Sequence, residues 1–252
     1  MRIARKTLLV GSGKGGVGKS TVAVNLAVSL GLQGFSVGLL DADIYGPSIP
    51  VMTGLRRMAP QTIPDQEGNE RILPFQKFGV KLMSVGFFIE EARAANWRGP
   101  VLHGILRKMT HNIEWGELDY LLVDLPPGTG DIPLSLSQLI ACDGALIVTT
   151  PQQVAALDAL KAVNTFDTLN IPLLGVIENM AGFTPPDGGK VYHIFGEGKA
   201  RALAESLQVP LLGSIPLVEA IRAGGDQGIP SAYHSGDAGA GTHFRNIGEK
   251  LR

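Results

Sequence analysis

The stretch Gly11-Ser12-Gly13-Lys14-Gly15-Gly16-Val17-Gly18-Lys19-Ser20-Thr21 has the composition of a phosphate cradle. Gly13 to Ser20 match G-x-x-x-x-G-K-[ST] at every fixed position. Glycines let backbone N–H groups converge on phosphate oxygens, where side chains would block the approach. In that pattern Lys19 sits on the β- and γ-phosphates and Ser20 holds Mg²⁺. Carboxylates recur where apolar runs end. Asp41 is expected to cap its strand end. Asp43 is expected to point the other way and to orient water or Mg²⁺. Asp124 closes the run Tyr120-Leu121-Leu122-Val123 and is the expected acidic partner of the metal shell. Gly128 and Gly130 leave the next loop free to respond to a γ-phosphate. Asp131 is either the N-cap of the following helix or a catalytic group. Asn179, at another strand end, offers an amide whose donor and acceptor match an adenine edge.

These residues need a scaffold that brings strand ends together. Thr7 to Val10 reads as a strand and Val22 to Leu30 as a helix, so the glycine-rich loop lies between them. The helix N-terminus adds partial positive charge beside the phosphates. Further buried strands are expected at 35–40, 80–85, 120–124, 145–149, 173–177 and 211–215. Apolar runs this short, with helices between them, predict an α/β fold with a mostly parallel central sheet and helices on both faces. Ligands of such sheets bind at the carboxyl ends of the strands. Helices are expected over Val101 to Ile113, Val154 to Leu169 and Thr242 to Arg252. Met58 to Glu70 and Ala223 to Gly241 read as loops, and Arg71 to Pro74 as a short strand. Met52, Met58 and Met83 are assigned to packing. No linker divides residues 1–252, so one domain is expected.

Composition narrows the function. The chain has 252 residues, 44% apolar and 18% charged, which suits a folded domain with a sizeable core. A net charge of −1 supplies no basic surplus for nucleic acid. No stretch approaches the ~20 apolar residues of a membrane span, and the last helix is too short and weakly apolar for an anchor. The basic start, Met1 to Lys6, runs directly into the first strand without a cleavable signal pattern. A cytoplasmic protein is the default expectation. The one cysteine, Cys142, excludes an internal disulfide and reads as a small packing residue. His103 and His111, like His234 and His243, lack ligand spacing.

Lys14, one residue after the first glycine of the motif, narrows the reading further. Lys14-Gly15-Gly16-Val17-Gly18-Lys19-Ser20-Thr21 resembles the deviant Walker A of the MinD, ParA and nitrogenase iron protein group. Within it the chain resembles the Mrp/ApbC branch of iron–sulfur cluster carrier ATPases. The carrying residues are Asp41 to Ser48, Trp97 to Pro100, Asp124 to Asp131, Ile177 to Phe183 and His193 to Gly196. The resemblance implies a P-loop NTPase fold and a homodimeric ATPase that uses ATP and Mg²⁺. It implies that Lys14 crosses to the partner's nucleotide, a cation supplied in trans to the transferred phosphoryl group. It also implies that Asp43 positions the attacking water, that Asp124 meets Mg²⁺ through water, and that Asn179 and the backbone around Pro216 form the adenine pocket. Iron–sulfur donor or acceptor proteins are the implied partners.

The chain departs from that branch in two places. An extra N-terminal domain of about 80–100 residues, found in many members, has no counterpart before Thr7. The branch's cluster-binding Cys-x-x-Cys falls on Pro185 and Gly188. A cubane cluster generally takes four thiolates, and a dimer of this chain has only Cys142 from each copy. Asp187 and His193 are harder ligands than such clusters favour. A nucleotide-switched positioning or scaffold protein is the alternative, its output being partner binding. A small-molecule kinase ranks last, for want of an acceptor site.

Overall fold

The computed structural model describes residues 1–88, 99–234 and 239–252; Trp97 and Arg98, carried by the resemblance, lie outside the described residues. Eight strands form one sheet in the order β10-β9-β8-β1-β7-β2-β6-β5. They are β1 (Lys6–Gly11), β2 (Val37–Asp41), β5 (Phe75–Lys77), β6 (Val80–Ser84), β7 (Tyr120–Asp124), β8 (Gly144–Thr149), β9 (Leu173–Phe183) and β10 (Leu211–Leu217). All neighbours are parallel except the β5–β6 pair at one edge.

The central strands are apolar because both faces are covered. Alternation sends Leu9, Leu40 and Val123 to one core and Leu8, Val10, Leu39 and Leu122 to the other. The first core is closed by α3 (Gly99–His111), α4 (Asp131–Leu139), α5 (Gln153–Thr168) and α6 (Lys199–Ser206). The second is closed by α1 (Lys19–Leu32), α2 (Ile49–Met52), α7 (Glu219–Gln227) and α8 (Ala240–Glu249). Register then does the positioning. Asp124 is aligned with Val10 on one side and with Asp41 on the other. The phosphate loop and two acidic strand ends therefore emerge side by side.

Several segments differ from expectation. Residues 58–70 contain a hairpin, β3 (Thr62–Pro64) with β4 (Glu70–Ile72), apart from the main sheet. Its turn is made by the Asp65 carboxylate, which accepts from the Glu67 and Asn69 N–H groups at 2.9 and 2.8 Å. Its strands are mostly exposed, so no alternating apolar pattern marks them. Met58 is exposed rather than packed. Ala223 to Gln227 is helical, the end of α7. Its glycines hid it, yet a Cβ on Gly224 would lie 2.6 Å from the Ile229 carbonyl oxygen. β9 and β10 also run past their expected ends, through Phe183 and Leu217.

Candidate nucleotide-binding site

The loop between β1 and α1 is shaped by two glycines in particular. A Cβ on Gly13 would stand 2.1 Å from the Asp158 carbonyl carbon, because α5 packs directly on the loop. Gly18 is left-handed, with φ of 81°, and a Cβ there would lie 2.2 Å from Asn179 Nδ2. Gly18 is also the N-cap of α1 and offers no capping side chain, so the helix's first N–H groups stay available to a ligand. Ser12 Oγ donates to the Lys14 carbonyl at 3.1 Å, and Gly128 N–H donates to the Ser12 carbonyl at 2.9 Å. The second bond ties the loop to the segment after β7. Gly15, Gly16, Val17, Gly18, Lys19, Ser20 and Thr21 line a cavity of about 180 Å³, with Asp43 and Pro127 opposite.

Charge is concentrated beneath this cavity. Lys19 is buried, with Nζ 2.6 Å from Asp124 Oδ1, 3.6 Å from Asp43 Oδ2 and 3.3 Å from Ser20 Oγ. Burial pushes the Asp124 carboxyl up, while Lys19 and Ser20 pull it back down. Asp124 Oδ2 is buried and accepts no hydrogen bond. That orphaned acceptor, with the Ser20 hydroxyl and Asp43 beside it, fits the hydrated shell of a hard divalent cation.

Asp41 is fully buried and serves the loop rather than the ligand. It accepts from Ser84 Oγ at 2.8 Å, Asp43 N–H at 3.1 Å and Ile49 N–H at 3.3 Å. These bonds fix the turn from β2 into α2. Burial, then the nearby Asp124 charge, push its carboxyl up to about 8. Asp41 and Asp43 have different surroundings, though not through strand alternation. β2 ends at Asp41 and Asp43 lies in the loop beyond it, so strand alternation does not relate the two; Asp43 lines the cavity, Asp41 does not, and Lys19 acts on both.

A second cavity of about 380 Å³ continues from the first, with Gly18, Thr21, Ser48 and Met52 common to both. Asn179, Met180 and Pro216 line it. Asn179 Nδ2 donates to the Val17 carbonyl at 2.9 Å, which leaves its other N–H and its Oδ1 for a planar edge. Pro216, which lacks an N–H, is tolerated because β10 is an edge strand. Arg222 and Asp226, paired at 2.7 Å on α7, also border this cavity. Reading 223–241 as loop concealed Asp226, and nothing in the sequence singled out Arg222.

Other expected residues fall differently. Lys14 Nζ donates to Gln152 Oε1 at 3.3 Å, just before α5. Nothing in the motif pointed to Gln152. Asp131 is exposed in the first turn of α4, one residue after the N-cap Gly130, where it complements the helix dipole. Pro185 and Gly188 form a turn, Gly188 N–H donating to the Pro185 carbonyl at 3.0 Å. The turn tops a hairpin closed by paired bonds between Phe183 and Tyr192. Cys142 precedes β8, at the end of the sheet opposite the loop. Burial, then Asp143, push its thiol up to about 11. Among the described residues no group of three His, Cys, Asp or Glu side chains is placed to hold a metal ion.

A parallel sheet with a glycine loop at the end of β1, a buried lysine on strand-end carboxylates and an adjoining flat cavity define a P-loop NTPase. The profile described as NUBPL iron-transfer P-loop NTPase, within ParA, matches residues 3–252, and the chain belongs to that family. It is 48% identical over 227 residues to the iron-sulfur cluster carrier protein of Synechocystis, covering 90% of this chain and 64% of that protein. It is 46% identical over 231 residues to the mouse iron-sulfur cluster transfer protein NUBPL, covering 91% and 71%. A solved nucleotide-binding protein of Archaeoglobus fulgidus, in complex with ADP, is similar at a TM-score of 0.78 and 39% identity, covering 92% and 89%. The septum site-determining protein MinD of Pyrococcus horikoshii, complexed with Mg-ADP, shares the fold at a TM-score of 0.70 and 22% identity, covering 98% and 95%. The chain thus spans less than two thirds of the Synechocystis relative's length. No described helix is long and apolar enough to cross a membrane.

Proposed function

We propose that the chain binds ATP with Mg²⁺, dimerises across it and hydrolyses it, as a switch for iron–sulfur cluster transfer. The observation that carries this reading is the buried Lys19 held by Asp124 and Asp43 beneath a cavity continuous with Asn179. Lys19 is loaded against carboxylates and turns to the β- and γ-phosphates when nucleotide enters. Ser20, Asp43 and Asp124 would hold Mg²⁺, which neutralises charge on the phosphate oxygens. Asp43 orients the attacking water. Lys14 leaves Gln152 and supplies a cation to the nucleotide of the second copy. Asn179 and the backbone at Pro216 seat the adenine. The relatives' names supply the cargo. The thiolates that the resemblance to the Mrp/ApbC branch implies have no counterpart here, since Pro185 and Gly188 offer no ligand atom in a side chain. Cluster thiolates then come from a partner protein.

Phosphate release and light scattering, with ATP and Mg²⁺, test this reading. ATP-dependent dimers that turn over support it; a monomer with no phosphate release sinks it. The missing thiolates also favour a second reading, a positioning or scaffold protein whose output is binding. Co-sedimentation with vesicles or DNA in ATP but not in ADP would promote that alternative.

A further inference from the structure

A separate cavity of about 480 Å³ lies on the other face of β9, lined by Glu178, Ala181, His193, Glu197, Arg201 and Ser214 among others. Alternation explains the arrangement. Ile177 faces the α1 core and Val176 the α5–α6 core. Asn179 follows Ile177 toward the nucleotide, and Glu178 follows Val176 away from it.

Glu178 is only 8% exposed. Its Oε2 accepts from Ser214 Oγ at 2.7 Å, and among the described residues Oε1 accepts no hydrogen bond. Glu178 lines the cavity, so a donor that enters it can reach the carboxylate oxygen that Ser214 leaves free. The segment His193-Ile194-Phe195-Gly196 forms the opposite wall. Gly196 N–H donates to the His193 carbonyl at 3.0 Å, and the turn presents His193 and Glu197 to the cavity. His193 Nδ1 donates to the Ala181 carbonyl at 3.3 Å, and Nε2 lies 3.3 Å from Glu197 Oε2. Arg201 is exposed, lines the cavity, and has no acidic partner among the described residues.

We infer that this cavity is a second ligand site, for a zwitterion of the α-amino acid type. The walls carry Glu178 and Glu197 against Arg201, with His193 beside Glu197. The walls thus present charges of both signs, so a ligand of one sign leaves at least one of them without a counter-charge. A zwitterion satisfies both. Its ammonium donates to Glu178 Oε1, its carboxylate takes the fork of Arg201, and its side chain lies toward Ala181 and Leu211. The volume is in the range of small-ligand pockets. No divalent cation is favoured, because the acidic and imidazole groups do not converge.

Isothermal titration of the full chain with each standard L-α-amino acid tests the inference. At least one is expected to bind with a Kd below about 1 mM, in the presence of saturating ATP as well as without it. The amine and the carboxylic acid matched to that binder should each be weaker by about tenfold or more. Arg201→Ala and Glu178→Gln should each cost about tenfold. Arg201 is exposed, so its variant keeps the native melting curve. Three results would overturn the site: no amino acid binds, a singly charged analogue binds equally well, or both variants bind as the native chain does. Displacement by ATP would also overturn it, since the cavity lies across the sheet from the nucleotide.

Discussion

The phosphate loop and the hairpin from Phe183 to Tyr192 both sit at the carboxyl ends of strands, and they have fared differently. At the loop, backbone shape and side-chain donors are both in place. Gly13 and Gly18 permit the fold of the loop, and Lys19, Ser20, Asp43 and Asp124 stand within 3.6 Å of a neighbour in the same cluster. At the hairpin the backbone is well formed, but no side chain at Pro185 or Gly188 offers a ligand atom. Its turn closes through Pro185 and Gly188, where the resembled branch has thiols. The hydrogen bonds that hold this turn are backbone bonds, so its shape does not depend on a ligand-bearing side chain.

That contrast can be broken most forcefully at Lys14. Lys14→Ala should lower phosphate release by about 10³-fold or more while ATP binds within about twofold of the native affinity. Calorimetry and a phosphate assay separate the two; equal losses in both would place Lys14 in ground-state binding and remove its role across the dimer. Lys19→Ala should act on both binding and stability. Asp124 is left buried beside Asp43 without a counter-charge, so urea denaturation at neutral pH should show a loss of about 3–5 kcal/mol. ATP affinity should fall about 100-fold or more. A variant as stable as the native chain would show that the lysine does not hold the carboxylates.

A smaller effect concerns Asp41. Below its ordinary value of 3.8 the carboxyl is protonated in folded and unfolded chains alike. Above that, the unfolded chain ionises while the buried group stays neutral up to about 8. The folded state then binds the extra proton, so this group's contribution falls as pH rises through that window, by at most about 1.4 kcal/mol per pH unit. Asp41→Asn should flatten the decline in urea stability between about pH 5 and pH 8. An unchanged slope would mean that Asp41 ionises normally in the fold.

The smallest effect belongs to the hairpin. Gly188 has φ of 83° and open space around its Cα, so Gly188→Ala should cost about 1 kcal/mol from backbone strain alone. ATP affinity should not change; a matching loss of affinity would mean that hairpin and loop are one unit.

The sequence made some of this readable and not the rest, for physical reasons. Strands β1, β2, β6, β7 and β8 were legible because burial leaves uninterrupted apolar runs, whereas the half-exposed edge strand β5 was not expected. Their strand-end carboxylates were legible for the same reason, and the structure does bring Lys19, Asp43 and Asp124 together. Their chemical roles are part of the proposal. The pinning of Asp41 by Ser84 was hidden, since it depends on the register of β2 with β6. The β3–β4 hairpin carries no apolar face, and α7 is diluted by glycines required for close approach. Glu178 and Arg201 come to line one cavity only through a fold that sets β9 against α6, which no local pattern announces.

The most direct test of the contrast is anaerobic reconstitution with iron and sulfide, with ATP and Mg²⁺ present, counting iron per protomer. It should be run on the native chain and on a Pro185→Cys, Gly188→Cys double variant. The expected result is no bound iron and no absorbance near ~400 nm from thiolate-to-iron charge transfer in the native chain, with both appearing in the variant. Stoichiometric iron and sulfide on the native chain, without any partner protein, would contradict the proposal that this chain acts as a nucleotide switch without cluster ligands of its own.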